Sequence, residues 1–233
     1  MVKKSILLKD LLPLLSAFFA PLSEAQRTIL TRNASIYTYK KNQLIYSEGN
    51  EPAHLMCLVS GKVKIFKDGV GGRTQIIRVI KPVEYFGYRA AFANQQYLTS
   101  AAAFEPSVIV KIPIAMIVQV LKENAQFGWF FIQHLSLDLG TADERTVNLT
   151  QKHIRGRLAE SLLFLKDNYG LEEDGSTLSI YLSREDLANL SNMTTSNAIR
   201  TLSMFATEKI IAIDGRKIKI IDEARLEKVS RVG

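Results

Sequence analysis

The sequence contains one cysteine, Cys57, and only three histidines among its 233 residues. A single thiol excludes a disulfide framework, a four-thiolate iron–sulfur cluster held within one chain and a closed all-cysteine zinc site. Lying in the apolar run 55–59, Cys57 reads as a small buried side chain. His54, His134 and His153 could each ligate haem, but three scattered imidazoles with no ligand spacing make neither haem nor a metal site expected. Long hydrophobic runs are also lacking. The apolar stretch 6–20, behind Lys3 and Lys4, is interrupted by Lys9, Asp10 and Pro13, which suits a short amphipathic helix better than a signal peptide. With no 18 consecutive apolar residues, no membrane association is expected and the protein is expected to be cytoplasmic. Nor is there a nucleophile, base and orienter set, or a Gly-rich phosphate loop between a strand and a helix, so an enzyme is not expected.

What is present starts with charge. The net charge is +7, and such an excess invites a nucleic-acid partner. Its distribution does not locate one. Residues 1–150 hold 17 Lys+Arg against 11 Asp+Glu, and residues 151–233 hold 13 against 12. Local patterns must carry that argument.

Ser23 with Gln26 forms a capping box that opens a helix to about Arg32. From Ala34 to Pro113 the pattern becomes short β-rich runs at 36–39, 44–47, 54–59, 62–67, 74–80 and 107–112. They are broken at Gly49-Asn50, Ser60-Gly61, Asp68-Gly69 and Gly71-Gly72. Strands at this spacing imply a compact β-roll or barrel. After Pro113 the period is helical: Ile132, Leu135, Leu139, Ala142, Thr146, Leu149 and His153 alternate spacings of three and four. That heptad seam predicts a parallel homodimer through residues 127–153, with His153 as its polar end. A further helix opens at Ile154 and ends near Tyr169-Gly170, and residues 178–182 read as a strand. The expected organisation is α+β: an N-terminal β-roll sensor over 1–123, a dimerisation helix over 124–153, and a C-terminal winged helix-turn-helix over 154–233.

The last region carries the functional pattern. Ser183 caps a short helix, with Asp186 at the capping-box position and Leu187, Ala188 and Leu190 facing inward. Ser191-Asn192-Met193 forms a tight turn, and Thr194 caps a second helix to about Ala206. Two caps bracketing a short helix and a three-residue turn are the sequence form of a helix-turn-helix. On the second helix Ala198, Ile199, Leu202 and Phe205 are expected inside, leaving Ser196, Asn197, Arg200 and Ser203 outside. That face has no carboxylate, and its arginine can bridge guanine O6 and N7. A hairpin follows, 210–213 and 217–221 about Asp214-Gly215, whose Arg216, Lys217 and Lys219 can meet phosphates. The partner implied is double-stranded DNA. A sensor module working through protein–protein contacts is the alternative reading.

These residues resemble the Crp/Fnr family, the cyclic-AMP receptor protein and its relatives. The stretch Leu182-Ser183-Arg184-Glu185-Asp186-Leu187-Ala188 is similar to the family's approach to its DNA-binding motif. Asn42-Gln43-Leu44-Ile45-Tyr46-Ser47-Glu48-Gly49-Asn50 and Leu58-Val59-Ser60-Gly61-Lys62-Val63 resemble its sensor hairpins, and Ile154-Arg155-Gly156-Arg157-Leu158-Ala159 the start of its DNA-binding domain. The resemblance implies a cyclic-nucleotide-binding-like roll, RNA polymerase as a further partner, and a recognition helix that reads DNA through its N-terminal residues. By position it makes Thr195, Ser196 and Arg200 base readers, Asn197 a neighbour, and Ser183 a phosphate contact beside Thr194. Thr195 and Ser196 depart from the charged or hydrophobic-acid pairs of the best-studied members, so no half-site transfers.

The sensor departs further. Cyclic-nucleotide binders of the family use a glycine-glutamate pair for the ribose, then an arginine and a hydroxyl for the phosphate. The matching stretches are Phe86-Gly87-Tyr88-Arg89-Ala90 and Tyr97-Leu98-Thr99-Ser100-Ala101, with Tyr88 at the glutamate position and Leu98 or Thr99 at the arginine position. On the dimer helix Ala142 and Asp143 stand where the cyclic-AMP receptor has paired hydroxyls, and Asp143 would repel a phosphate. Burying a phosphate without its ion-pair partner costs several kcal/mol. The effector pocket is therefore expected around Gly87, Tyr88, Arg89, Thr99, Ser100, Ala142 and Asp143, with cyclic AMP, an iron–sulfur cluster and haem all disfavoured.

Overall fold

The computed structural model describes residues 15–69 and 72–232. Most of the expected N-terminal amphipathic helix, and Gly71 of the Gly71-Gly72 turn, lie outside the described residues. The chain divides into two units. One joins residues up to Lys67 with Ile77–Asp138; the other joins Asp68–Ile76 with Leu139 onward.

In the first unit, α1 (Ser16–Phe19) and α2 (Glu24–Asn33) precede the roll. The capping box that opens α2 forms as expected: Ser23 Oγ accepts from Gln26 N, and Gln26 Oε1 accepts from Ser23 N. The roll comprises β1 (Ser35–Tyr39), β2 (Leu44–Tyr46), β3 (His54–Ser60), β4 (Val63–Asp68), β5 (Thr74–Ile80), β6 (Tyr85–Phe86), a short helix α3 (Tyr88–Phe92), β7 (Ser100–Ala103) and β8 (Ser107–Pro113). The strands form two four-stranded sheets, ordered β1-β8-β3-β6 and β2-β7-β4-β5. The elements missed in the roll leave little local signal: β6 has two residues, α3 five, and β7 is alanine-rich, a composition of low strand propensity.

Strand side chains alternate between faces, and here the alternation feeds two cores. Met56 and Leu58 of β3 join Val63, Ile80, Ala101 and Ile109 inside the roll. Leu55 and Cys57 point the other way, into a cluster with Phe18, Tyr85, Val110, Ile112, Phe127 and Phe131. Phe18 sits at its centre, with ring centroids 5.0 Å from Tyr85 and 5.1 Å from Phe127. After α4 (Ile114–Glu123), the long helix α5 (Ala125–Gln151) supplies Phe127 and Phe131 to this cluster.

The second unit continues from α5 into α6 (Ile154–Tyr169), α7 (Arg184–Leu190), α8 (Thr195–Thr207), the hairpin β9 (Ile211–Asp214) and β10 (Lys217–Ile220), and α9 (Glu223–Val232). Leu158, Leu162, Leu165, Leu187, Ala198, Leu202, Phe205, Ile218 and Leu226 are buried there.

Two expectations need correction. His153 does not end the seam: α5 stops at Gln151, and His153 takes an extended conformation as the N-cap of α6. The break is held by the Arg157 guanidinium, whose Nη1 donates to the carbonyls of Leu149 (3.4 Å) and Lys152 (3.1 Å). Residues 178–182 form no strand, only isolated bridges from Thr177 to Lys219 and Leu178 to Leu171. Leu178, Ile180 and Leu182 are buried in alternation, but the pairing with β10 ends at Leu178 N, which donates to Ile218 O, because Ser179 N turns to Gly170 O.

Two glycines test the roll's turns. Both Gly49 and Gly61 have left-handed backbones (φ 82° and 89°), but a Cβ on Gly49 meets nothing within 4 Å, whereas one on Gly61 would lie 2.6 Å from Pro106 O and 2.7 Å from Ser107 Cα. Gly49→Ala is expected to cost about 1 kcal/mol of unfolding free energy. Gly61→Ala should cost about 2 kcal/mol more, from backbone overpacking. Urea denaturation of the two variants checks the ordering.

Candidate nucleic-acid interface and effector pocket

The helix-turn-helix is built from local hydrogen bonds. Ser183 Oγ accepts from Asp186 N (3.0 Å) and donates to Asp186 Oδ2 (2.8 Å), so cap and carboxylate hold each other. The turn after α7 is closed by Met193 N donating to Ala188 O (3.0 Å), with Asn192 at a positive φ of 50°. Thr194 Oγ1 accepts from Asn197 N (3.3 Å) and starts α8.

The turn's carbonyls are captured from outside it. Arg157 of α6 donates to Ser191 O and Asn192 O, both at 3.1 Å, and Arg145 donates to Leu190 O (3.1 Å). Within the same unit, Gln75 Nε2 donates to Asn189 O (2.8 Å) and Arg73 binds the Asn192 side chain. The turn's own side chains add to this, Asn192 through Arg73 and Ser191 Oγ by donating to Ser161 Oγ (2.8 Å).

On α8 the buried stripe is Ala198, Thr201, Leu202 and Phe205. This corrects one expectation: Ile199 is not inside but 49% exposed, and Thr201 takes the inward place. Thr195, Ser196, Arg200 and Ser203 are exposed as expected, and no carboxylate stands among them. Asn197 is half-buried, and its Oδ1 accepts from Arg200 Nη2 (2.8 Å). It therefore holds the arginine in place.

In the hairpin, Lys217 pairs with Asp214 across a two-residue turn of Gly215 (φ 55°) and Arg216. Arg184 Nη2 donates to Gly215 O (2.7 Å), tying the start of α7 to the hairpin tip. The hairpin's cations are not equivalent. Lys217 lies 3.6 Å from Glu172 and over the Tyr181 ring, and Lys219 lies 3.4 Å from Asp174. Backbone hydrogen bonds from Thr177 and Ser176 hold the Asp174 carboxyl well below the usual range, so that charge persists. Arg216 is exposed and has no ion-pair partner among the described residues. Sequence reading could not make this distinction, because Glu172 and Asp174 lie more than forty positions from the lysines.

The expected pocket residues have different local surroundings within their own units. Gly87 caps α3 with φ 83°, and a Cβ there would strike Met56 Cε. Tyr88 turns away from the roll interior: its ring packs 5.1 Å from Phe131 and 5.4 Å from Phe92. Burial pushes its hydroxyl up to about 12, so it is uncharged near neutrality. Arg89 is exposed, and Ser100 Oγ accepts from Glu48 N (3.0 Å). Ala142 and Asp143 are exposed on the second unit's part of α5.

Sequence reading missed the stacked pair Tyr46–Tyr97, with centroids 3.9 Å apart. Tyr97 OH donates to Gly87 O (3.2 Å), Tyr46 hydrogen-bonds Thr99, and Arg78 and Arg89 act on Tyr46 electrostatically. The cyclic nucleotide that such a roll implies does not fit this donor set as the family would hold it. No carboxylate stands at 88, and Leu98, which shares the arginine position with Thr99, is an exposed side chain without charge. Cys57 offers no alternative chemistry, since burial pushes its thiol up to about 12 and leaves no thiolate near neutral pH.

A two-sheet roll, a long helix and a helix-turn-helix with a basic-tipped hairpin define a DNA-binding regulator with a sensor domain. Residues 37–124 match the cyclic nucleotide-binding domain, and residues 156–229 match the Crp-like helix-turn-helix domain. The chain is 23% identical over 203 residues to the CRP-like cAMP-activated global transcriptional regulator of Mycobacterium tuberculosis, covering 87% of this chain and 91% of that protein. It is 24% identical over 188 residues to the global nitrogen regulator of a Nostoc species, covering 79% and 84%. Its fold is that of FixK2 from Bradyrhizobium japonicum, with TM-score 0.76, 22% identity, and 84% and 96% covered. A Crp/Fnr-type regulator of Eubacterium rectale shares it too, with TM-score 0.78, 18% identity, and 92% and 97% covered. The chain belongs to the Crp/Fnr family of transcription regulators. Crp-like regulators bind DNA and act as dimers. No described helix is long and apolar enough to cross a membrane.

Cyclic AMP is expected not to bind this roll at micromolar concentration. Isothermal calorimetry checks it, and a saturable micromolar isotherm would assign the phosphate to Arg89 or Arg78.

Proposed function

We propose that this protein controls transcription as a homodimer, joined along α5, that reads a pseudo-palindromic operator with the two copies of α8 about 34 Å apart. It works by binding, in the cytoplasm, with RNA polymerase as a further partner and no catalytic step. The observation that carries the reading is the outward face of α8: hydroxyls and one amide-held arginine, free of carboxylates, capped at Thr194 and flanked by the unpaired Arg216. Thr195, Ser196 and Arg200 are the base readers, Asn197 positions Arg200, and Arg216 is the main phosphate contact of the hairpin. Lys217 plays a lesser part, and Ser183 and Thr194 offer the start of each helix to the backbone. An effector in the roll would meet Gly87, Arg89, Thr99 and Ser100.

For the dimer, the support is the exposed seam: Ile132 and Leu139 are 53% and 63% exposed in one chain, and Ala142 and Thr146 are exposed beyond them. A second copy would cover that stripe. Leu139→Glu is expected to give monomers in sedimentation velocity, and a variant that stayed dimeric would remove the seam from the interface.

Binding titrations on the operator and on random DNA, at several salt concentrations, test the DNA reading. Arg200→Ala should weaken operator binding by about 1 to 3 kcal/mol and leave random DNA nearly unchanged. Arg216→Ala should weaken both and reduce the salt slope by about one. Binding that ignored salt would point instead to a protein partner.

A further inference from the structure

Ile199 is an anomaly for its own helix. The periodicity of α8 places it beside the core positions, yet the stripe closes without it through Thr201, leaving Ile199 49% exposed, one residue before Arg200 and one turn after Thr195 and Ser196. Its neighbours on that face are hydroxyls, and the adjacent guanidinium leans toward Asn197, whose Oδ1 it binds at 2.8 Å. Positions 197 and 199 lie about 160° apart around a helix of 3.6 residues per turn. The arginine is therefore drawn away from Ile199, and the isoleucine stands clear as an apolar, β-branched, conformationally stiff side chain.

A major groove offers one apolar group to such a side chain, the thymine 5-methyl, which alone distinguishes the T·A edge by shape and hydrophobicity and not by donors and acceptors. The other groups by which the groove distinguishes base pairs are hydrogen-bond donors and acceptors, for which Thr195, Ser196 and Arg200 are suited.

We propose that Ile199 is a specificity-determining residue that packs on a thymine methyl in each half-site, beside the base pair read by Arg200. The inference rests on the reading of α8 as the recognition helix, and deepens it by assigning one operator position to an apolar contact. Ile199 reaches that methyl from the side of α8 opposite Asn197, so the thymine and the arginine's guanine occupy neighbouring base pairs. Substitution at Ile199 leaves the buried stripe intact, since Ala198, Thr201, Leu202 and Phe205 hold the helix in place without it.

The experiment begins by selecting an operator from a random-sequence duplex library with the full-length protein. Each thymine of the enriched half-site is then replaced by deoxyuridine, which removes the 5-methyl and nothing else. Burying one methyl corresponds to about a fourfold change in affinity. The unmodified protein should lose about that factor at one thymine per half-site. Ile199→Ala should bind the thymine and uracil operators equally at that position, while its discrimination at the Arg200 base pair is unchanged. Thermal melting of Ile199→Ala should match the parent. If no thymine is sensitive in the parent, or if the uracil penalty survives in Ile199→Ala, the assignment is wrong. A selection that enriches no sequence would overturn the DNA reading itself, a result distinct from either.

Discussion

Because successive side chains of a strand leave the sheet in opposite directions, burying both faces of β3 obliges the chain to supply two cores and not one. Met56 and Leu58 require a second sheet over them, which the roll provides. Leu55 and Cys57 require a cover on the other side, which the helices before and after the roll provide together with Tyr85 and Tyr88. That demand is why Phe18, Phe127 and Phe131 converge on one cluster, and why α5 must begin where it does. It also fixes the direction of the residues that follow. Tyr85 faces the helices and Phe86 the roll, Gly87 turns with a positive φ, and Tyr88 returns to the helical side. A residue that the family resemblance places at a ligand is committed here to packing.

In the second unit the comparable constraint is electrostatic. The helix-turn-helix turn presents carbonyls from Asn189 to Asn192, and each would lose hydrogen-bonding on burial without a donor. Arg157 answers four carbonyls at once, two at the end of α5 and two in the turn. A planar guanidinium with five donors can do this where a lysine could not. The same side chain thus ends the long helix and sets the pose of α7 against α8.

Much of this was legible in the sequence, and the reasons differ by element. The capping box at Ser23, the caps at Ser183 and Thr194, six strands of the roll and both strands of the hairpin were marked by local chemistry, which acts through neighbours along the chain. What was hidden depends on distant partners. Ile199 matches the inward period of α8, but the stripe is narrow and Thr201 fills it. Lys217 and Lys219 look as free as Arg216 until Glu172 and Asp174 fold against them. Residues 178–182 alternate like a strand because they feed a core, but the pairing with β10 ends at Leu178, where the next amide turns to Gly170. The stacking of Tyr46 on Tyr97 joins residues fifty-one positions apart and leaves no periodic trace.

The hydrogen bond from Arg200 to Asn197 has a thermodynamic consequence. A free arginine on a helix surface samples many rotamers, and freezing them on a base edge costs up to about 2 kcal/mol of side-chain entropy. Where the amide already restricts the guanidinium, part of that ordering is complete before any duplex arrives. Recognition then draws on a pre-organised group, so the gain appears as a less unfavourable binding entropy and not as an extra contact in the complex. Two proteins with the same residues touching the same bases could differ in affinity on this ground alone, one rigid before the encounter and the other made rigid by it.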